Sequence, residues 1–313
     1  MPELIFHHYP NSPFSEKIRL IFGLKHLAWR SVLIPVILPK PDVVALTGGY
    51  RKTPVLQIGA DIYCDSALIA RVLDQIQPLP GLYPATAPLA VPLAQWADGT
   101  LFWAAVAWVL QPAGVVALFD NPPPEVMKAF AADRAGMSGG ARRMTLTDAT
   151  VQLKAHLAAL DAQLAQGGPF LLGAAPTIAD FAVAHTLWFI RRAPPVAHIL
   201  APHAALSAWL DRLLALGHGN SERMSSADAV AVARAASDSG IGHAPVSVEP
   251  GLGFEAGQAV TVAAIDTGPD PVAGTLVGLS SDRVVIRRTD ARAGTLQVHF
   301  PRFGFQIKKE VLA

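Results

Sequence analysis

The chain is poor in cysteine, in charge and in unbroken apolar runs, and each shortage excludes something. One cysteine, Cys64, in 313 residues rules out an internal disulfide and a multi-cysteine metal site. It also fits a reducing compartment, so a cytoplasmic protein is expected. Charged residues make up 16% of the chain, and 25 Lys plus Arg stand against 24 Asp plus Glu. Neither a disordered polyelectrolyte nor a protein steered to nucleic acid by its overall field fits that balance. The most membrane-like stretch, residues 101–119, is interrupted at Gln111-Pro112. Apolar runs of about 10 residues mark buried helices rather than bilayer spans, so no membrane partner is expected. Met1-Pro2-Glu3-Leu4 carries no basic segment leading into a long apolar run, so no export is expected either.

Hydrophobic side chains are what the chain has in quantity, at 51%, enough for large cores. At roughly 100–200 residues per domain the length predicts two domains, or three if one is small. Residues 1–80 alternate strand and helix patterns in the order β, α, β, α, β, β, α, with strands near 4–6, 32–34, 54–58 and 62–64 and helices over 13–26, 42–46 and 66–76. Five prolines between Pro78 and Pro92 make residues 81–92 a linker, because neither a helix interior nor a central strand tolerates that density. Residues 93–220 read as helical, with an apolar stripe at Val151, Leu153, Leu157, Leu160 and Leu164 and with Gly217 as a closing cap. Residues 221–313 predict one further helix, over 222–237. Five short strands follow, at 259–265, 274–279, 283–289, 295–300 and 305–308, in the manner of a small β barrel.

Chemistry concentrates in the first unit. Ser12 stands at the N-cap and Pro13 at the first position of the first helix. A serine there caps a helix whether or not it does anything else. The same helix end, with its unpaired N–H groups and positive dipole, also stabilises an anion. A thiol with a pKa near 8.5 falls to about 3.5–7.5 in such a setting, so a bound thiolate is a fitting occupant. Thr53-Pro54 places a proline at the start of a strand, where a cis bond can form a tight turn. Asp65-Ser66 offers a carboxylate and a hydroxyl at a second helix N-terminus, suited to a ligand's ammonium and carboxylate.

Together these residues resemble the glutathione transferase superfamily. The resemblance covers residues 1 to about 217. It rests on Tyr9-Pro10-Asn11-Ser12-Pro13-Phe14-Ser15, Thr53-Pro54-Val55-Leu56, Asp65-Ser66-Ala67-Leu68-Ile69, and Pro169-Phe170-Leu171-Leu172-Gly173 followed by Pro176-Thr177-Ile178-Ala179-Asp180. Thr177 and Asp180 also have the spacing of a capping box. The resemblance implies an α/β thioredoxin-like domain, then an all-α helical domain, with the small β-barrel-like domain as an addition. It implies glutathione as co-substrate, a hydrophobic electrophile as second substrate, a role in detoxification and a homodimer. Carried over by position, Ser12 would stabilise the glutathione thiolate. Thr53, before Pro54, would pair its backbone with the cysteinyl part, Asp65 and Ser66 would hold the γ-glutamyl end, and Lys52 would reach the glycyl carboxylate. Relatives that exchange thiols carry a cysteine where this chain has Ser12, and serine forms no mixed disulfide. Asn11, Ser15 and Tyr9 compete with Ser12 for the sulfur. A protein that keeps the fold but only binds a ligand or partner, through the added β domain, is the alternative.

The other candidates read as structural. His7 and His8 are adjacent on a strand, point to opposite faces and cannot chelate one ion, so no metal is expected. Cys64 reads as a small buried hydrophobe; Trp96, Phe102, Trp103, Trp108 and Phe119 could line an apolar acceptor pocket, but their helical spacing reads first as core. Residues 281–313 hold seven Lys or Arg against three acids, but residues 221–280 hold two against seven, so the tail offers nucleic acid no net charge.

Overall fold

The computed structural model describes residues 2–138, 144–240, 243–268 and 270–310. The first unit forms in the expected order: β1 (Ile5–His8), α1 (Pro13–Leu24), β2 (Ala28–Leu33), α2 (Pro41–Thr47), β3 (Val55–Ile58), β4 (Asp61–Cys64) and α3 (Ser66–Ile76). β1 runs parallel to β2, which requires the α1 crossover, and antiparallel to β3; β3 in turn pairs antiparallel with β4. Both faces of β1 are covered. Phe6 packs edge-on against Phe22 and Trp29 on one side, while Ile5 joins Val32, Val43 and Ala229 on the other.

The proline-rich segment ends sooner than composition predicts. α4 (Ala90–Trp96) takes Pro92 into its first turn, where a missing N–H forfeits no helical bond. A π turn (Ala97–Leu101) links α4 to α5 (Phe102–Val109), and α6 (Pro112–Leu118) bends away by 95°. No single helix among the described residues is long and apolar enough to cross a membrane. α7 (Pro124–Met137), α8 (Leu146–Gly167), α9 (Ile178–Arg191), a 3-10 turn (Pro194–Leu200) and α10 (Ala204–Leu214) complete the helical unit. α8 buries Ala149 with Leu153, Leu157, Leu160 and Leu164. Val151, expected in that stripe, is 66% exposed; at 3.6 residues per turn it sits about 200° from Leu153. The capping box opens α9: Asp180 accepts the Thr177 N–H at 2.8 Å, and also the Leu171 N–H at 2.9 Å and the Trp209 indole N–H at 3.0 Å. One apolar core runs from α1 and α3 through α4, α5, α8, α9 and α10.

The tail contains β5 (Asn220–Met224), α11 (Ser226–Asp238) and the five expected strands, β6 (Ala259–Ala264), β7 (Val272–Leu279), β8 (Arg283–Asp290), β9 (Gly294–Pro301) and β10 (Phe305–Lys309). β5 has no apolar alternation and pairs with β2 along the edge of the sheet, which is why periodicity gives no sign of it. The other strands form an antiparallel meander in the order β10-β6-β7-β8-β9, and β9 pairs parallel with β4. Residues after Gly219 therefore flank the first four strands on both sides, in one ten-stranded sheet. A second core joins Tyr50, Val55, Ile62 and Cys64 to Val260, Leu276, Ile286, Val298 and Phe300. Cys64 is fully buried within it, and burial pushes its thiol well above the usual range.

Candidate functional site

The site begins at the N-terminus of α1. Ser12 caps the helix, its Oγ accepting the Ser15 N–H at 3.2 Å, with Pro13 at the first helical position. The Ser12 N–H donates to the Tyr9 carbonyl at 3.1 Å, which folds residues 9–12 into a tight loop. The Tyr9 hydroxyl lies beside the Ser12 hydroxyl and the Arg134 guanidinium, and burial raises its pKa, so at neutral pH it remains a donor. The competitors are placed differently. Asn11 Oδ1 accepts from Arg192 Nη2 at 2.7 Å. Ser15 is fully buried, and its Oγ has no hydrogen-bond partner among the described residues.

Arg19 fixes this loop from beneath. Its Nη2 donates to the Pro10 carbonyl at 2.9 Å and to Glu16 Oε2 at 2.6 Å, and its Nη1 reaches His8 Nδ1 at 3.1 Å. Since Arg only donates, His8 Nδ1 must accept, and the ring proton sits on Nε2, 2.9 Å from Ser31 Oγ. Burial and the Arg19 charge lower the His8 pKa to about 3, so the ring is neutral. Burial opposes ionisation of Glu16, but His218, 3.0 Å from its Oε1, and Arg19 outweigh that and hold the carboxyl below its usual range. His7 points the other way, to Gln57 Oε1 at 2.9 Å. The Gln57 amide nitrogen donates to the Ala229 carbonyl at 2.8 Å, which ties β1 and β3 to α11.

The second and third parts of the site are the β3 start and the α3 start. The Thr53-Pro54 bond is cis, as expected. Lys40 Nζ donates to Thr53 Oγ1 at 3.3 Å and to the Arg51 carbonyl at 3.2 Å, and stands 5.9 Å from the centre of the Tyr9 ring. Burial, with Arg134 and Arg51 nearby, lowers the Lys40 pKa to about 8. Asp65 caps α3 through its Oδ1, which accepts the Ala67 N–H at 2.9 Å, and it does so at φ 77°. A positive φ in a residue other than glycine stores about 1–3 kcal/mol of strain, and such residues cluster at ligand sites. Burial raises the Asp65 pKa against the pull of Lys52, the Ala67 N–H and Lys17. Ser66 follows, buried, as the first residue of α3.

Between the first unit and the helical unit lies a buried ion pair that periodicity does not show. Lys17, on α1 and fully buried, places its Nζ 2.6 Å from Asp98 Oδ2 in the π turn, and His185 Nε2 is 2.9 Å from Asp98 Oδ1. Asp98 only accepts, so His185 carries its proton on Nε2. Burial opposes the Asp98 charge, yet Lys17 and His185 keep its pKa below the usual value. The Phe14 ring covers this group, 4.7 Å from both Phe102 and His185. A π turn widens the helix locally and recurs at functional sites.

Contacts and charge effects connect some of the expected residues. Ser12 joins Tyr9, Lys40 links Tyr9 to Thr53, and the charges of Lys52 and Lys17 both act on Asp65. Lys52 is placed in a manner the sequence does not indicate, with its Nζ 2.7 Å from Asp266 of the tail. Sequence reasoning also misses Lys17, Arg19, Lys40, Asp98, Arg134 and His185. The one available signal was charge inside otherwise apolar helical patterns, as at Lys17 and Asp98.

Residues 6–81 match the family description "Glutathione S-transferase, N-terminal domain", and residues 129–212 match "Glutathione S-transferase, C-terminal domain". Over 99% of its length the chain is 44% identical to a solved GST-like protein from Pseudomonas syringae, covering 100% of that chain with a TM-score of 0.80. It is 18% identical to a glutathione S-transferase from Rhodospirillum rubrum F11, over 67% of this chain and 87% of that one, with a TM-score of 0.53. It is 22% identical to a glutathione S-transferase III in apo form, over 68% and 92%, with a TM-score of 0.52. The latter two share the fold. A search of the curated proteins finds no match.

Proposed function

Because the chain belongs to the glutathione S-transferase family, we propose that it binds glutathione along the α1, β3 and α3 edge and activates its thiol for attack on a hydrophobic electrophile. The observation that carries this reading is the order of donors at the α1 N-terminus. Burial outweighs the pull of the Arg134 charge and keeps the Tyr9 phenol protonated beside Ser12. Ser12 Oγ already accepts the Ser15 N–H, which leaves the Ser12 O–H to donate to a thiolate. The positive end of α1 and the Lys40 and Arg134 charges favour the anion further.

In the reaction, the glutathione thiol loses its proton to solvent and the thiolate forms a C–S bond as the leaving group departs from the electrophile. Thr53, before cis Pro54, pairs its backbone with the cysteinyl unit. Asp65 and Ser66 hold the γ-glutamyl end, and Lys52 faces the glycyl end. Phe14, two residues from Ser12 and packed 4.7 Å from the buried Phe102 ring, offers the electrophile an apolar contact. A cytoplasmic homodimer belongs to the same reading, supported by the lone buried Cys64 and by exposed apolar side chains such as Leu79, Leu89 and Val151.

The test is turnover of a generic aromatic electrophile. Ser12→Ala is expected to lower kcat about 100-fold, the scale for losing one preorganised donor to a developing anion, while glutathione affinity changes only a few-fold. Tyr9→Phe should give a smaller loss, since Ser12 keeps its own proton. Wild-type turnover in Ser12→Ala would contradict the assignment.

A further inference from the structure

The cation meant for one end of the ligand is held by the tail. Lys52 Nζ lies 2.7 Å from Asp266 and 5.6 Å from the centre of the Phe305 ring. Asp266 belongs to the connection between β6 and β7, and two further contacts anchor that connection. Gly268 donates its N–H to the Met137 carbonyl at the end of α7, at 2.7 Å. Asp270 takes Arg51 Nε at 3.2 Å, while Arg51 Nη1 pairs with Asp133 of α7 at 3.0 Å. Gly268 adopts φ 61°, a left-handed turn that glycine enters without strain. Asp266, Gly268 and Asp270 thus act as a strap, tying the tail to α7 and to residues 51 and 52, just before cis Pro54.

Resting on the glutathione reading, we infer that Asp266 acts as an internal competitor for Lys52, so that the site discriminates poorly in favour of a free glycyl carboxylate. Two carboxylates cannot both use one ammonium fully, and the incoming one must displace Asp266 or go without. Displacement is cheap, because the Asp266 side chain is 55% exposed and exposed ion pairs contribute little. The strap therefore tunes specificity without closing the site. Glutathione derivatives masked at glycine, with a neutral or cationic terminus, should be accepted nearly as well as glutathione.

The probes are glutathione and its glycyl ethyl ester, titrated calorimetrically against the full chain. Wild type should bind the two within about twofold. Asp266→Asn should bind glutathione about two- to fivefold more tightly, the range of an exposed pair, and leave the ester unchanged. Adding Lys52→Met to Asp266→Asn should abolish the preference. Asp266 is on an exposed connection, so its variant is expected to fold, and circular dichroism checks this. A wild type that binds glutathione, with an acid-to-ester ratio unchanged in Asp266→Asn, would overturn the competitor role alone. Failure of wild type and variant to bind either thiol would overturn the glutathione reading and this inference with it.

Discussion

Ending the chain at Gly219 should leave a protein that does not fold. The deletion removes β5 from one side of the sheet and β9 from the other, and so exposes the hydrogen-bonding edges of β2 and β4 together. It strips the second core of Val260, Leu276, Ile286, Val298 and Phe300, leaving Val55, Ile62 and Cys64 against water. Each large apolar side chain so exposed forfeits about 1.5–3 kcal/mol, and a domain's whole margin is about 5–15 kcal/mol. Buried polar groups lose partners as well. Gln57 loses the Ala229 carbonyl, and Asp61 loses His299, at 2.8 Å, and the Ala244 N–H, at 3.0 Å. The expected result is an insoluble chain, or one lacking near-ultraviolet circular dichroism. A soluble truncated protein with the native spectrum would show that the tail is accessory, as its sequence suggests.

That contrast shows what sequence does and does not carry here. The elements of the first unit and the start of α9 follow from local patterns, since short apolar runs, Ser12 with Pro13, and the Thr177 and Asp180 box act within a few residues. The caps at Ser12 and Asp65 were legible for the same reason. The attachment of the tail was not, because which strand edge pairs with which depends on backbone groups common to every residue. β5 is the extreme case, a strand of four polar residues and a single Met, too little for an apolar alternation. Long-range ion pairs are hidden in the same way: nothing near Lys52 in the chain points to Asp266, and nothing near Lys17 points to Asp98.

Lys17→Met should be the most damaging single substitution in the buried network. The side chain is fully buried, and its removal leaves the Asp98 carboxylate with His185 but no cation. Breaking a buried pair from one side costs about 3–5 kcal/mol. Asp98 is 21% exposed, so water relieves part of the charge and the lower end of that range is expected. Pairing Lys17→Met with Asp98→Asn removes the stranded charge while keeping an acceptor for His185, and should recover at least half of the loss. Urea unfolding midpoints at constant slope measure both. A single variant as stable as wild type would mean that the contact between α1 and the π turn rests on the Phe14 packing alone.

The measurement closest to the central claim is an ultraviolet titration of the thiol of glutathione bound to the wild-type protein. If the α1 N-terminus, Ser12 and Tyr9 stabilise the thiolate, the bound thiol should titrate at least one unit below the value of about 8.5 for a free thiol, and Ser12→Ala should move it back toward that value. A bound thiol that titrates at or above the free value would contradict the account.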